Sequence, residues 1–158
     1  MHGAVCRGAS FLLLLLLMGA LTVAQENAPA NKNLAPNARL LAARYVVVQQ
    51  SSPQSAQLPY EVIEGAFRGW GRYQMVFDPA KADLVVQVNA PDYGQGNAGV
   101  GRIQLIVRDA HDGAVLWSGF EVAKSAFKVK QHESNIVDAS LKLFRRFRAL
   151  IEPELAPE

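Results

Sequence analysis

The pattern that most constrains the fold is a pair of segments on either side of Asp112-Gly113. Residues 102–109 (RIQLIVRD) alternate in character, with Ile103, Leu105 and Val107 on one face and mainly polar residues on the other. Asp-Gly is a favoured two-residue turn between antiparallel strands, and residues 114–122 (AVLWSGFEV) can form the returning strand. The sequence therefore predicts an antiparallel β-hairpin.

Three further segments are typical of strands. Residues 43–50 (ARYVVVQQ) are rich in β-branched side chains and predict a strand buried on both faces, followed by residues 73–77 (YQMVF) and 84–89 (LVVQVN). A helix is predicted between the first two, because apolar residues recur every three or four positions from Pro59 until Gly69 and Gly71; they are Val62, Ile63, Ala66, Phe67 and Trp70. A helical connection of this length favours a parallel β-α-β unit.

A second helix is predicted at the carboxyl end of the chain. It would begin at Ser134 or Asn135, either of which is a good helix cap, and end before Pro153. Its apolar face comprises Ile136, Val137, Leu141, Phe144, Phe147, Leu150 and Ile151. The element order β-α-β-β-β-β-α predicts an α+β two-layer sandwich, with a mixed sheet of about five strands and two helices on one face. Trp70, Trp117, Phe67 and Phe144 are expected in the core.

The amino terminus has the pattern of a secretory signal. Arg7 precedes an apolar run at residues 11–18, and small residues lead to Ala24, after which cleavage is expected. The run is too short for a typical transmembrane helix. Cys6, the one cysteine, would be removed, leaving neither disulfides nor lipidation in the mature chain. We predict a signal peptide at 1–24, a flexible leader at 25–38, one domain at 39–152, a tail at 153–158, and a periplasmic or secreted protein.

Three local signatures resemble those of a known group of domains. They are residues 78–83 (DPAKAD) leading into a strand, the glycine-rich residues 91–101, and the turn at 109–113 (DAHDG) that leads to Leu116-Trp117. They resemble small bacterial envelope domains of the group that includes the penicillin-binding-protein activator LpoB, the curli secretion protein CsgG and the amino-terminal domain of TolB. The resemblance covers about residues 43–151. It implies a noncatalytic domain that binds other envelope proteins, here an unlipidated member without a cofactor.

Other chemistries have weaker signals. Gly94, Gly96 and Gly99 match a dinucleotide-binding pattern, but a strand follows where that motif needs a helix. The acidic residues Asp78, Asp83, Asp109 and Asp112, with His111, lack the spacing of a known metal or catalytic motif. Aspartate often forms turns by accepting hydrogen bonds from nearby main-chain amides, which is the role we expect here. A small hydrolase using Asp83, Asp109 and His111 stays an alternative.

The candidate binding residues lie in the basic segment from Lys124 to Arg148. It carries Lys124, Lys128, Lys130, Lys142, Arg145, Arg146 and Arg148 against Glu133 and Asp138. We predict a contact surface for an envelope protein formed by Phe127, Lys128, Lys130, Arg145 and Arg146, with Tyr93 in the glycine-rich loop as another candidate. Phe127 could instead continue an edge strand, and the charges could bind anionic lipid or cell-wall polymer. An exported chain without aromatic residues interleaved among its cations is not expected to bind nucleic acid.

Overall fold

A computed structural model of the chain describes residues 35–51, 57–90 and 101–153. The helices are α1 (Pro36–Ala42), α2 (Gln57–Trp70) and α3 (Val129–Ile151), and the strands are β1 (Tyr45–Gln50), β2 (Gln74–Met75), β3 (Leu84–Asn89), β4 (Gly101–Asp109) and β5 (Val115–Ala123). A single 3₁₀ turn, Pro79–Lys81, precedes β3. The predicted signal peptide, glycine-rich loop, Tyr93 and last tail residues lie outside the described residues.

The five strands form one mixed sheet in the order β2-β1-β3-β4-β5. Strand β1 pairs in parallel with both β2 and β3, whereas β4 is antiparallel to β3 and β5. The turn after β4 contains Gly113 at a φ of 71°, a conformation that glycine adopts without steric cost. The α+β class, the parallel β1–β2 pair and the hairpin are confirmed.

The hydrophobic core lies between the helices and one face of the sheet. Alternate side chains of β3 and β4 enter it, including Val86 and Leu105, because successive residues of a strand point to opposite faces. Phe67 of α2 packs edge-on against Phe144 of α3, with 5.1 Å between ring centroids. Trp70 and Trp117 are partly buried against this core, so the four predicted core aromatics are confirmed.

The sequence predicted two helices, and the structure has a third. Helix α1 has seven residues and only Leu40 buried, so it carries almost no apolar periodicity. It is held by distant contacts: Arg39 bonds Asp109 and Asp112, and the Tyr73 hydroxyl donates to the Leu40 carbonyl at 2.9 Å. Local sequence patterns contain no information about such contacts.

Two predicted element limits were also wrong. Helix α3 begins at Val129 rather than at Ser134 or Asn135, and the Asn135 side chain, which we expected as a cap, donates to the Lys124 carbonyl at 2.9 Å. Strand β2 ends at Met75, and Phe77, expected in that strand, is 94% exposed. The predicted stop of the last helix before Pro153 is confirmed, since α3 ends at Ile151.

Candidate functional site

The acidic residues near the strand ends accept hydrogen bonds from main-chain amides. The Asp109 carboxylate accepts the His111 amide at 2.8 Å, and Asp112 accepts the Ala114 amide at 2.9 Å. Asp83 accepts the main-chain amides that begin β1, those of Arg44 and Tyr45, at 2.8 and 2.9 Å. Asp78 accepts the Ala80 amide. The contacts of Asp78, Asp109 and Asp112 are the local turn role expected from the sequence. Asp83 differs, because its amide donors are distant in sequence and its carboxylate holds the start of β1 instead.

The structure does not bring these residues together as a catalytic group. Arg39 bridges Asp109 at 3.2 Å and Asp112 at 2.8 Å, and the hydrogen bond with Asp112 is the main reason that the pKa of Arg39 is raised. His111 Nε2 lies 3.9 Å from Asp83 Oδ1, beyond hydrogen-bond distance. Within residues 35–51, 57–90 and 101–153, no three His, Cys, Asp or Glu side chains are placed to hold a metal ion.

The candidate site is at the other end of the hairpin, where β5 leads into α3. We define the basic surface as Lys124, Phe127, Lys128 and Lys130 at this link, together with Arg145, which lies sixteen residues after Val129 and so about 24 Å further along α3. All five side chains are exposed, and Phe127 is fully so, because β5 ends at Ala123 and no element in the described part of the chain covers the link. The alternative that Phe127 continues an edge strand is therefore wrong. The adjacent Val129 is 73% exposed.

The cations of the basic surface lack acidic partners within residues 35–51, 57–90 and 101–153. No ion pair to a described residue is formed by Lys124, Lys128, Lys130 or Arg145. Three such lysines near a fully exposed aromatic ring provide both long-range attraction to an anionic partner and an apolar contact on binding.

Arg146, predicted to share this surface, has a different role. Its guanidinium donates to Glu121 Oε1 at 2.9 Å and to the Phe120 carbonyl at 3.2 Å. Lys142 donates to the other Glu121 oxygen at 3.0 Å. Burial alone would raise the pKa of Glu121, but the hydrogen bonds and charges of Lys142 and Arg146 outweigh burial and lower it. Arg146 therefore ties α3 to the edge of β5.

Arg148, the last cation of the predicted basic segment, also stabilises the fold. It donates to Glu152 at 2.7 Å and lies over the Trp70 ring, 5.6 Å from its centroid. The Trp70 indole donates to the same carboxylate at 2.9 Å. The hydrogen bonds from Trp70 and Arg148 lower the pKa of Glu152. This cluster fastens the end of α3 to the end of α2.

The sequence missed Glu121, which separates the cations into two groups. A usable signal was present: alternation along β5 places Glu121 on the same face as Gly119 and Ala123, which is the face covered by helices. A carboxylate on that face needs a cationic partner from the covering helix. This rule predicts a cationic partner for Glu121 from α3, and the structure shows that Lys142 and Arg146 take that place.

Comparisons with known proteins give similar folds and no family assignment. No protein-family model and no curated protein matches the chain. The PelC dodecamer from Paraburkholderia phytofirmans shares 18% identity, covering 70% of this chain and 87% of that chain, with a TM-score of 0.44. An uncharacterised lipoprotein B from Nitrosomonas europaea shares 15% identity over 73% of this chain and 88% of that chain, with a TM-score of 0.45.

The LpoB carboxyl-terminal domain from Salmonella enterica is also similar. It shares 15% identity, covering 56% of this chain and 93% of that chain, with a TM-score of 0.39. Among the residues that the structure describes, no helix is both long enough and apolar enough to span a membrane.

Proposed function

We propose that this chain is an exported, noncatalytic bacterial envelope protein that binds other envelope proteins through its basic surface. The observation that carries the proposal is the set of three lysines near the fully exposed Phe127, none of which forms an ion pair with a described residue; they are Lys124, Lys128 and Lys130. The predicted signal peptide ending at Ala24, and the sequence signatures that resemble those of the LpoB group, support export and a role in the envelope. The protein would act in the periplasm or outside the cell.

The hydrolase alternative has less support. A catalytic carboxylate must have an oxygen available to a substrate or a water molecule. Both oxygens of Asp109 are engaged, one by the His111 amide and the other by Arg39. Asp83 accepts the amides of Arg44 and Tyr45 through Oδ2, and its Oδ1 lies 3.9 Å from His111 Nε2, too far for a hydrogen bond. These bonds hold the hairpin turn and the start of β1, which gives both carboxylates a structural role.

A second candidate function is binding to anionic lipid or cell-wall polymer. One observation favours the lipid: Phe127 and Val129 are both exposed apolar residues, and Lys128 and Lys130 adjoin them in sequence. Apolar side chains among lysines are able to enter the headgroup region of a bilayer. We favour a protein partner because the sequence resemblance is to domains that bind envelope proteins.

A photoreactive amino acid at position 127 tests the proposal in intact cells that produce the full chain. The control carries the same group at Lys81, an exposed residue in the turn before β3 at the opposite end of the sheet. The proposal predicts a discrete protein adduct at position 127 that is weak or missing at position 81. Equal adducts at both positions, or lipid adducts alone at position 127, would contradict it.

A further inference from the structure

The two edges of the sheet differ in how their main-chain groups are covered. At the β5 edge, the Phe120 carbonyl accepts Arg146 and, just beyond the strand, the Lys124 carbonyl accepts Asn135. Side chains of α3 thus occupy main-chain acceptors along the outer side of β5. Such coverage prevents another strand from pairing at an exposed edge.

The opposite edge is only partly covered. Strand β2 pairs with β1 over two residues, and the last bond between them runs from the Val76 amide to the Val46 carbonyl. Because main-chain groups alternate in direction along a strand, those of Val48 and Gln50 face the same side as those of Val46. No described residue continues the β2 ladder past Val76. Within the described residues, the main-chain groups of Val48 and Gln50 are therefore unpaired on this side.

A cavity of about 210 Å³ lies at this uncovered part of the edge. We call it the β1 slot; its lining includes Val48, Glu64, Arg68, Met75, Val76 and Phe77. Its apolar lining includes the exposed ring of Phe77. Arg68 pairs with Glu64 at 2.6 Å, but the Arg68 side chain is 64% exposed and that of Glu64 24%, so the accessible charge is positive.

We propose that the β1 slot binds a short, extended segment of a partner polypeptide, which adds a strand beside β1. The amides and carbonyls of Val48 and Gln50, which no described residue pairs, are matched by the main chain of an added strand. The apolar walls of the slot favour an apolar side chain on that strand. The exposed cation of Arg68 favours an acidic residue next to it. A second copy of this chain fits less well, since its β5 edge is covered by Arg146 and Asn135. This site is separate from the basic surface.

The test uses full-length processed protein and the synthetic peptide acetyl-Val-Thr-Val-Glu-Val-amide, with leucine replacing valine in related probes. Amide resonances of Val48 and Gln50 should shift on titration and become protected from solvent exchange. The same peptides N-methylated at alternate amides should bind at least about fivefold more weakly, because strand addition needs those donors. Replacing the peptide's glutamate with lysine should also weaken binding.

Matched variants separate the slot from the basic surface. Phe77→Ser should weaken peptide binding about fivefold, whereas Phe127→Ser, which alters an equally exposed aromatic, should leave it unchanged. Both substitutions lie on the surface, so folding should persist and can be checked by circular dichroism. The proposal fails if every peptide leaves Val48 and Gln50 unaffected, or if N-methylated peptides bind equally well. It also fails if a higher protein concentration, without peptide, protects those amides from solvent exchange, because a second copy of this chain would then occupy the slot.

Discussion

Arg145 and Arg146 are neighbours in sequence with different surroundings. Arg146 contacts Glu121 and the Phe120 carbonyl, whereas Arg145 projects from α3 without an ion pair to any described residue. Charge counting along the sequence cannot separate them, because it treats both as members of one basic run. Their difference makes it possible to test binding and folding with single substitutions.

Charge reversal should change the free energy of unfolding at only one of these two positions. Arg145→Glu should change the free energy of unfolding by no more than about 0.5 kcal/mol, since the side chain is exposed and unpaired. Arg146→Glu should lower it by about 1 kcal/mol or more, because a second carboxylate would face Glu121. Urea denaturation of both variants measures this. Equal stabilities would contradict the assigned role of Arg146.

Ser140 is a buried polar residue on the core side of α3. Its hydroxyl is fully buried in α3 and has no hydrogen-bond partner among the described residues. Because an unsatisfied buried hydroxyl is costly and alanine is the better helix former, Ser140→Ala should raise the free energy of unfolding by about 0.5–1 kcal/mol. A variant less stable than the wild type in urea denaturation would show that the hydroxyl has an energetically important partner.

Helix α1 shows which elements could be predicted from sequence. Strand β3 and the β4–β5 hairpin have dense local patterns, and their predicted limits agree with the structure to within one residue. Helix α1 buries only Leu40. It is held by the bond from Arg39 to Asp109 at the hairpin turn, seventy residues away in sequence. The candidate site was predictable only where local sequence determines it. The exposure of Phe127 follows from the end of β5, whereas the contacts of Glu121 depend on how α3 packs against β5.

Adjacent leucines in α1 test whether this helix belongs to the folded domain. Leu40 is completely buried, whereas Leu41 is 49% exposed. Leu40→Ala should lower the free energy of unfolding by about 2–4 kcal/mol through lost burial and an added cavity. Leu41→Ala should cost less than about 1 kcal/mol. If thermal or urea unfolding gives the two variants equal stability, α1 does not pack as described.

Across the whole molecule, two ion clusters hold α3 against the rest of the fold. Glu121 joins α3 to the β5 edge, and Glu152 joins its end to Trp70 of α2. The pKa values of both carboxyls lie below their ordinary value of 4.5. A carboxyl with a lowered pKa in the folded state stabilises the protein above its unfolded pKa and loses that contribution as the pH falls through the folded pKa.

The stability of the protein should therefore fall below about pH 4.5. Glu121→Gln should be less stable than the wild type at neutral pH, since a neutral amide cannot pair with both Lys142 and Arg146 as a carboxylate does. The difference between the two proteins should narrow in acid. Urea denaturation between neutral pH and about pH 3 measures this, and a constant difference across that range would contradict the contribution assigned to ionised Glu121.

Binding through the basic surface predicts an association that weakens as salt is added. The partner captured at position 127 would be titrated with wild-type protein, Lys128→Glu and Lys81→Glu at increasing ionic strength. Affinity for the wild type should fall as salt rises, and Lys128→Glu should bind more weakly with a flatter salt dependence, because it removes an attractive charge beside Phe127. Lys81→Glu should behave as the wild type. If both variants bind like the wild type at every ionic strength, the basic surface is not the binding surface.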